Sequence, residues 1–211
     1  MFKIIECWQG TDEWHKARLG KLTASTFDKI ITKTGKLSAS SEELVNRAVA
    51  ELVMGEPQQS YQSDSMLRGQ SLEVEALEFF NFTCGYKFEA VGFVEAIDAE
   101  GASKGYGCSP DGLESSGRGL ELKCPEAHTH LAYLASGKLP DKYKQQVQGA
   151  LLVTGYDSWI FGSYHPNFPC LRVEVKRDEK FITAIRESLE PCVAQINKKY
   201  QDIIKIIGAQ K

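Results

Sequence analysis

The sequence predicts an α/β domain, a central mixed β-sheet flanked by helices, and three observations carry that expectation. Helical patterns come first along the chain, strands cluster in its middle, and a helix, two strands and a long helix close it. Apolar residues make up 42% and charged residues 25% of the 211 residues, ordinary values for a folded chain. A chain of this length buries roughly 70% of its unfolded surface, enough for a core without staples. One domain spanning 1–211 is therefore expected.

Thr11 caps a short helix, with Asp12 and Glu13 in its first turn and Trp14 and Leu19 as its apolar contacts. A second helix is predicted from Ala24 to just before Gly35, then a small, polar loop over 34–41, then a helix over Ser41–Met54. Pro57, with Gln and Ser around it, marks 56–64 as a mobile surface loop. Residues 67–84 carry a strong helical pattern, and Gly85 supplies the stop. Residues 86–97, 105–109 and 119–124 read as strands separated by glycine-rich turns. Pro140 opens a helix that Gly155 closes after Thr154. Two further strands, 159–164 and 170–176, precede a closing helix over 178–207.

Composition excludes several classes. The six cysteines (Cys7, Cys84, Cys108, Cys124, Cys170 and Cys192) show no CxxC spacing, so reduced thiols in an intracellular, cytoplasmic protein are expected. The opening MFKIIECWQG lacks a basic segment followed by a long apolar run, which argues against secretion. No stretch approaches the roughly eighteen apolar residues of a membrane span, so no membrane partner is expected. The net charge of −3 is unusual for a nucleic-acid binder. The charge is uneven, however: Lys16, Arg18, Lys21, Lys29, Lys33 and Lys36 stand against Asp28 alone. The next stretch reverses the sign, with Arg47 among Glu42, Glu43, Glu51, Glu56 and Asp64.

The chemistry concentrates in Ser109-Pro110-Asp111-Gly112 and Gly119-Leu120-Glu121-Leu122-Lys123. Pro-Asp-Gly alone is a common turn. In the strand that follows, Glu121 and Lys123 point to one face while Leu120, Leu122 and Cys124 point to the other. A hairpin between the two segments sets Asp111 beside Glu121, with Lys123 adjacent. Two carboxylates that close repel unless a proton or cation neutralises them, and an oxygen-rich site suits Mg²⁺ or Mn²⁺ over a phosphodiester. Lys123 can position or help deprotonate a water and counter growing negative charge. A surface hairpin with a salt bridge is the competing reading. Glu73 shares the face of Leu77 and Phe80 on its helix, as a core-edge acid paired with a base or as a further acid at the site. Gln146 sits at the edge of an apolar face four before Ala150, where it can serve a phosphate, a bound water or a neighbouring backbone group. His128 and His130 point to different faces and read as exposed, with no third ligand at zinc spacing. Neither a G-x-S-x-G elbow around Ser25 nor a G-x-x-x-x-G-K-[ST] phosphate loop is present.

Taken in order, these motifs resemble one family. The stretch from Gln9-Gly10-Thr11 through Trp14-His15-Lys16-Ala17-Arg18-Leu19-Gly20, then Thr23-Ala24-Ser25, Gly69-Gln70-Ser71-Leu72-Glu73, Cys108 to Leu113, Gly119 to Pro125 and Gln146-Val147-Gln148 is similar to the lambda-exonuclease, or YqaJ-type viral recombinase, family of the PD-(D/E)xK nucleases. The resemblance implies a restriction-endonuclease-like core and an exonuclease that degrades one strand of linear double-stranded DNA from a 5′-phosphorylated end. Mononucleotides would be released and a 3′ overhang left. It further implies metal binding by Asp111, Glu121 and the Leu122 carbonyl, with two Mg²⁺ ions and Mn²⁺ as a substitute. Lys123 would serve the nucleophilic water, Glu73 and Gln146 would complete the catalytic set, and Arg18 and Ser25 would hold the 5′-phosphate. The implied partners are DNA ends, two further copies in a homotrimeric ring, and a single-strand annealing recombinase. A restriction-like or repair endonuclease using the same metal site is the alternative, and a non-catalytic DNA-end-binding protein is a third reading.

Overall fold

The computed structural model describes residues 1–58 and 64–209. Strand β1 (Phe2–Ile5) leads to helix α1 (Asp12–Arg18), whose cap Thr11 accepts the Trp14 N–H on its side-chain oxygen. Strand β2 (Leu22–Thr23) runs into a single 3₁₀ turn, Ala24–Lys29. Helices α2 (Ser41–Met54) and α3 (Asp64–Cys84) follow. Gly55 ends α2 in the left-handed conformation, its N–H bonded to the Glu51 carbonyl. Next come β3 (Phe93–Ile97), β4 (Ser103–Cys108), β5 (Gly112–Glu114) and β6 (Arg118–Lys123). The chain closes with α4 (Ala127–Ser136), a 3₁₀ turn at Asp141–Tyr143, α5 (Lys144–Thr154), β7 (Ser158–Ser163), β8 (Leu171–Lys176) and α6 (Glu179–Ala209).

The strands form two mixed four-stranded sheets, ordered β1-β3-β4-β2 and β5-β6-β7-β8. In the first, β2 runs parallel to β4 and the other pairs are antiparallel. In the second, β6 and β7 are parallel with α4 and α5 in the crossover, and β5 and β8 pair antiparallel at the edges. An antiparallel bridge between Glu89 and Leu113 joins the segment before β3 to β5.

Two apolar clusters hold these layers. The larger joins the first sheet, α2, α5 and α6 through Phe27, Val45, Val94, Leu151, Ile182 and Ile185. The second packs Ala76 and Phe80 of α3 on Leu120 and Leu122 of β6 and Ile160 of β7. Close approach is built in at two glycines. A Cβ on Gly162 would lie 2.6 Å from the Phe80 ring, and one on Gly149 would lie 2.4 Å from the Phe27 ring. The first lets α3 lie on β7. The second seats the 3₁₀ turn, and Ser25 with it, on α5.

Several elements differ from the sequence expectation for identifiable reasons. The helix predicted from Ala24 is a six-residue 3₁₀ turn. Fully buried Ile30 and Ile31 leave the helical path, Ile31 bridging Leu37 and Ile30 accepting the Ser38 N–H at 2.8 Å. The strand expected over 86–97 pairs continuously only over Phe93–Ile97, with Glu89 contributing the isolated bridge. The expected central sheet is two sheets, and the hairpin partner of β6 is β5 rather than β4, which belongs to the first sheet. The loop expected over 56–64 falls largely on 59–63, outside the described residues. No helix among the described residues is long and apolar enough to cross a membrane.

Candidate functional site

The β5–β6 hairpin builds the first half of the site. Its register pairs Gly112 with Leu120, and the Asp111 N–H donates to the Leu120 carbonyl at 3.1 Å, so Asp111 sits opposite Glu121. One Asp111 carboxylate oxygen accepts the Leu122 N–H at 2.5 Å, which locks the side chain across the strand. On β6 the alternation works as expected: Leu120 and Leu122 are buried in the core, while Glu121 and Lys123 face the other way. Glu121 is nonetheless only 4% exposed. Its Oε1 accepts from the Lys123 ammonium and, at 2.5 Å, from the Gln146 amide on α5. Glu73 on α3 completes the cluster.

Burial and crowding set the charges. Desolvation, then the Glu121 and Glu73 carboxylates, push the Asp111 carboxyl well above its usual range against the pull of Lys123. Burial also raises Glu73, with Glu121 adding to it and Lys123 opposing. Burial alone would depress the Lys123 ammonium, but Glu121 and Asp111 outweigh it and hold it above its usual value. Such a site needs positive charge. Among the described residues no group of three His, Cys, Asp or Glu is arranged to hold a metal, so a closed zinc-like cage is not the donor set. Two acids, with the Leu122 backbone carbonyl directly after the second, instead fit a hard divalent cation whose other ligands are water and phosphate.

Arg18 builds the second half. Its guanidinium lies 4.0 Å over the Trp14 ring and donates to the Ser109 hydroxyl at 2.8 Å and the Thr23 hydroxyl at 3.4 Å. Burial lowers its pKa to about 10, with Glu51 opposing the drop, so it remains a cation at neutral pH. No carboxylate pairs with it among the described residues. Ser25 joins through Thr23, the two hydroxyl oxygens lying 3.2 Å apart. A half-buried cation ringed by neutral hydroxyls is arranged to receive an anion. Both halves open into one cleft of about 1440 Å³, lined by Arg18, Ser25, Glu73, Asp111, Glu121, Lys123 and Gln146 among others.

Every candidate site side chain thus meets in one place. Sequence reasoning assigned no role to Ser109, Thr23, Gln9 or Tyr143. Ser109 ties Arg18 and the Trp14 indole N–H to the residue pair leading into Asp111. Gln9 donates to the Val91 and Pro110 carbonyls at 2.9 and 2.8 Å. Tyr143 lies 5.4 Å below the Lys123 ammonium. Ser109 and Gln9 stand inside the recognised motifs, so position offered a signal; Tyr143 carried none. The histidine expectation needs correcting. His128 is exposed, but His130 is fully buried between the Ser163 hydroxyl at 2.8 Å and the Pro169 carbonyl at 3.0 Å, and His165 is buried beside it. Because a carbonyl only accepts, His130 Nε2 carries the hydrogen and Nδ1 accepts from Ser163.

The YqaJ-like viral recombinase domain is matched over residues 13–157. The alkaline exonuclease of Laribacter hongkongensis (LHK-Exo) superposes with a TM-score of 0.81 at 27% identity, covering 95% of this chain and 100% of that one. LHK-Exo in complex with dAMP gives a TM-score of 0.81 at 28% identity over 95% and 100% of the two chains. A phage related exonuclease from Haemophilus somnus 129PT shares the fold, with a TM-score of 0.65 at 16% identity over 87% of this chain and 96% of that one. No curated protein matches the chain significantly.

Proposed function

Because the chain belongs to the YqaJ-like viral recombinase domain family, we propose that it is a Mg²⁺-dependent DNA exonuclease acting 5′ to 3′ on linear double-stranded DNA. It releases 5′-mononucleotides and leaves a 3′ single-stranded overhang for a single-strand annealing recombinase. The observation that carries this reading is the shared cleft: a crowded carboxylate pair with Lys123, and a half-buried Arg18 without a carboxylate partner among the described residues, open into the same space. The alkaline exonuclease LHK-Exo, similar at 27% and 28% identity in two structures, one of them in complex with dAMP, supports it independently.

The residues divide the work. Arg18, backed by Ser25 and Thr23, holds the terminal 5′-phosphate by exchanging hydroxyl partners for a charged one. Asp111, Glu121 and the Leu122 carbonyl would hold the cation, which when bound would supply positive charge against the scissile phosphodiester. Gln146 and Lys123 converge on a single Glu121 oxygen, fixing the carboxylate and leaving its second oxygen without a side-chain partner among the described residues. The Lys123 ammonium orients the attacking water and counters negative charge as it develops on the phosphate. Glu73 adds an acid on the α3 side. A homotrimeric ring, with basic segments gathered inward, reconciles DNA binding with a net charge of −3.

The test incubates linear duplex and covalently closed circles with Mg²⁺, Mn²⁺ or chelator, using the parent chain and Asp111→Ala. Linear duplex alone should be degraded, with a loss of at least about a hundredfold in chelator or on substitution. Cutting of closed circles would point to the endonuclease alternative. Full activity of Asp111→Ala would remove the metal-site assignment.

A further inference from the structure

We propose that Trp8 is a stacking platform for a nucleobase near the 5′ end of the degraded strand, an inference that rests on the nuclease reading above. Trp8 lines the active-site cleft, yet its side chain is 77% exposed. Among the described residues, the other aromatic rings lining that cleft are Trp14 and His15. Those two are already engaged: their centroids lie 4.9 Å apart edge to face, the Arg18 guanidinium covers Trp14, and the Trp14 N–H is bonded to Ser109. No aromatic or cationic partner covers Trp8 among the described residues, so both faces of its indole are open.

The exposed ring is carried on a fixed backbone. The Trp8 carbonyl accepts both the N–H and the hydroxyl of Thr11, at 3.2 and 2.8 Å. The next residue, Gln9, donates to the carbonyls of Val91 and Pro110, and Pro110 immediately precedes Asp111. The backbone that carries the indole is therefore set at a constant place relative to the carboxylate site, instead of swinging on a free loop. Arg18 and Lys29 line the same cleft and serve the strand's phosphates. A cationic track beside an open aromatic face is the arrangement that holds single-stranded nucleic acid without reading its sequence, because every base has a π face. Unpairing the strand being cut exposes such faces. Trp8 takes one of them, positioning the end without selecting a base.

The experiment uses the full chain and 5′-phosphorylated linear duplexes carrying one abasic site at each of the first four nucleotides of the degraded strand. Initial kcat/KM is measured for the parent, Trp8→Ala and Trp8→Phe. At one position the parent should lose about 5- to 100-fold on removal of the base. Trp8→Ala should be slower by a similar factor on intact duplex and lose nothing further at that position, while Trp8→Phe should retain most of the parent's behaviour. Equal abasic losses in parent and Trp8→Ala at every position would overturn the role. So would a changed assembly mass for Trp8→Ala without altered abasic discrimination, which would assign the ring to an interface between copies. Absence of any hydrolysis by the parent would overturn the nuclease reading, and this inference with it; hydrolysis with unaltered discrimination would overturn the role of Trp8 alone.

Discussion

Replacing Arg18 tests whether this half-buried cation senses the DNA end. The guanidinium donates to two neutral hydroxyls, Ser109 at 2.8 Å and Thr23 at 3.4 Å, and stays charged at neutral pH with a pKa of about 10. A terminal phosphate held by a two-pronged grip adds two charge-assisted hydrogen bonds, each worth roughly 1.5–3 kcal/mol, while each neutral bond given up returns about 1 kcal/mol. The net is about 1–4 kcal/mol, or roughly 5- to 700-fold at 1.4 kcal/mol per decade. The assay compares kcat/KM on 5′-phosphoryl and 5′-hydroxyl linear duplexes. The parent should prefer the phosphoryl end by that factor, and Arg18→Ala should bring the ratio close to one by slowing the phosphoryl substrate alone. Arg18→Lys keeps the charge but loses the fork and the planar contact with Trp14, so an intermediate ratio is expected. A phosphoryl preference undiminished in Arg18→Ala would refute the reasoning, whatever the variant's overall rate.

Two further outcomes follow from the charges in the site and the core. Mg²⁺ at ten times its Kd should stabilise the parent by about 1.4 kcal/mol, raising Tm by about 3–6 °C for a chain of this size. Asp111→Asn, whose amide oxygen can still accept the Leu122 N–H, should show no such rise; equal shifts in both would exclude Asp111 as a ligand. His130 is buried neutral, and desolvation holds its folded pKa below the ordinary value near 6.5, with the Pro169 carbonyl opposing. The unfolded chain therefore binds the proton first, so this contribution to stability is complete above about pH 6.5 and is lost as pH falls through the folded pKa. Urea midpoints between pH 7.5 and 5.5 should drop less steeply in His130→Asn than in the parent, and an identical slope would remove His130 as the source.

Local signals carried most of the helices and half of the site. Ser41 and Gly55 bracket α2 because a helix start and a left-handed glycine are chemistry of adjacent residues. The alternation of Leu120, Glu121, Leu122 and Lys123 predicted which side chains enter the core, since a strand offers two faces. Long-range pairing was not legible in this way. The split into two sheets depends on β4 choosing β3 and β2 while β5 takes β6, and the intervening Ser109 to Asp111 carries no mark of that division. Strand β1, four residues at a sheet edge, is too short for its period to register. The helix expected at Ala24 failed because Ile30 and Ile31 gain more by burial against distant elements than by continuing a helix. His130 read as exposed because its burial comes from Ser163 and Pro169, more than thirty residues away. Arg18 and Gln146 were placed by resemblance; their contacts with Ser109 and Glu121 are tertiary.

The seam between the two sheets has a consequence for what leaves the enzyme. Ser109, which Arg18 grips, ends the run from the first sheet, and Asp111, latched to Leu120 and Leu122, begins the second. Only Pro110 lies between, with its φ held near −65° and its carbonyl tied to Gln9. Two peptide units span at most about 7 Å. On the proposed function, that short rigid link would act as a ruler, fixing how far the backbone behind the Arg18 pocket stands from the carboxylate pair. The size of each bite would then be graduated in the protein's own backbone, and a nuclease indifferent to base sequence would cut in uniform steps.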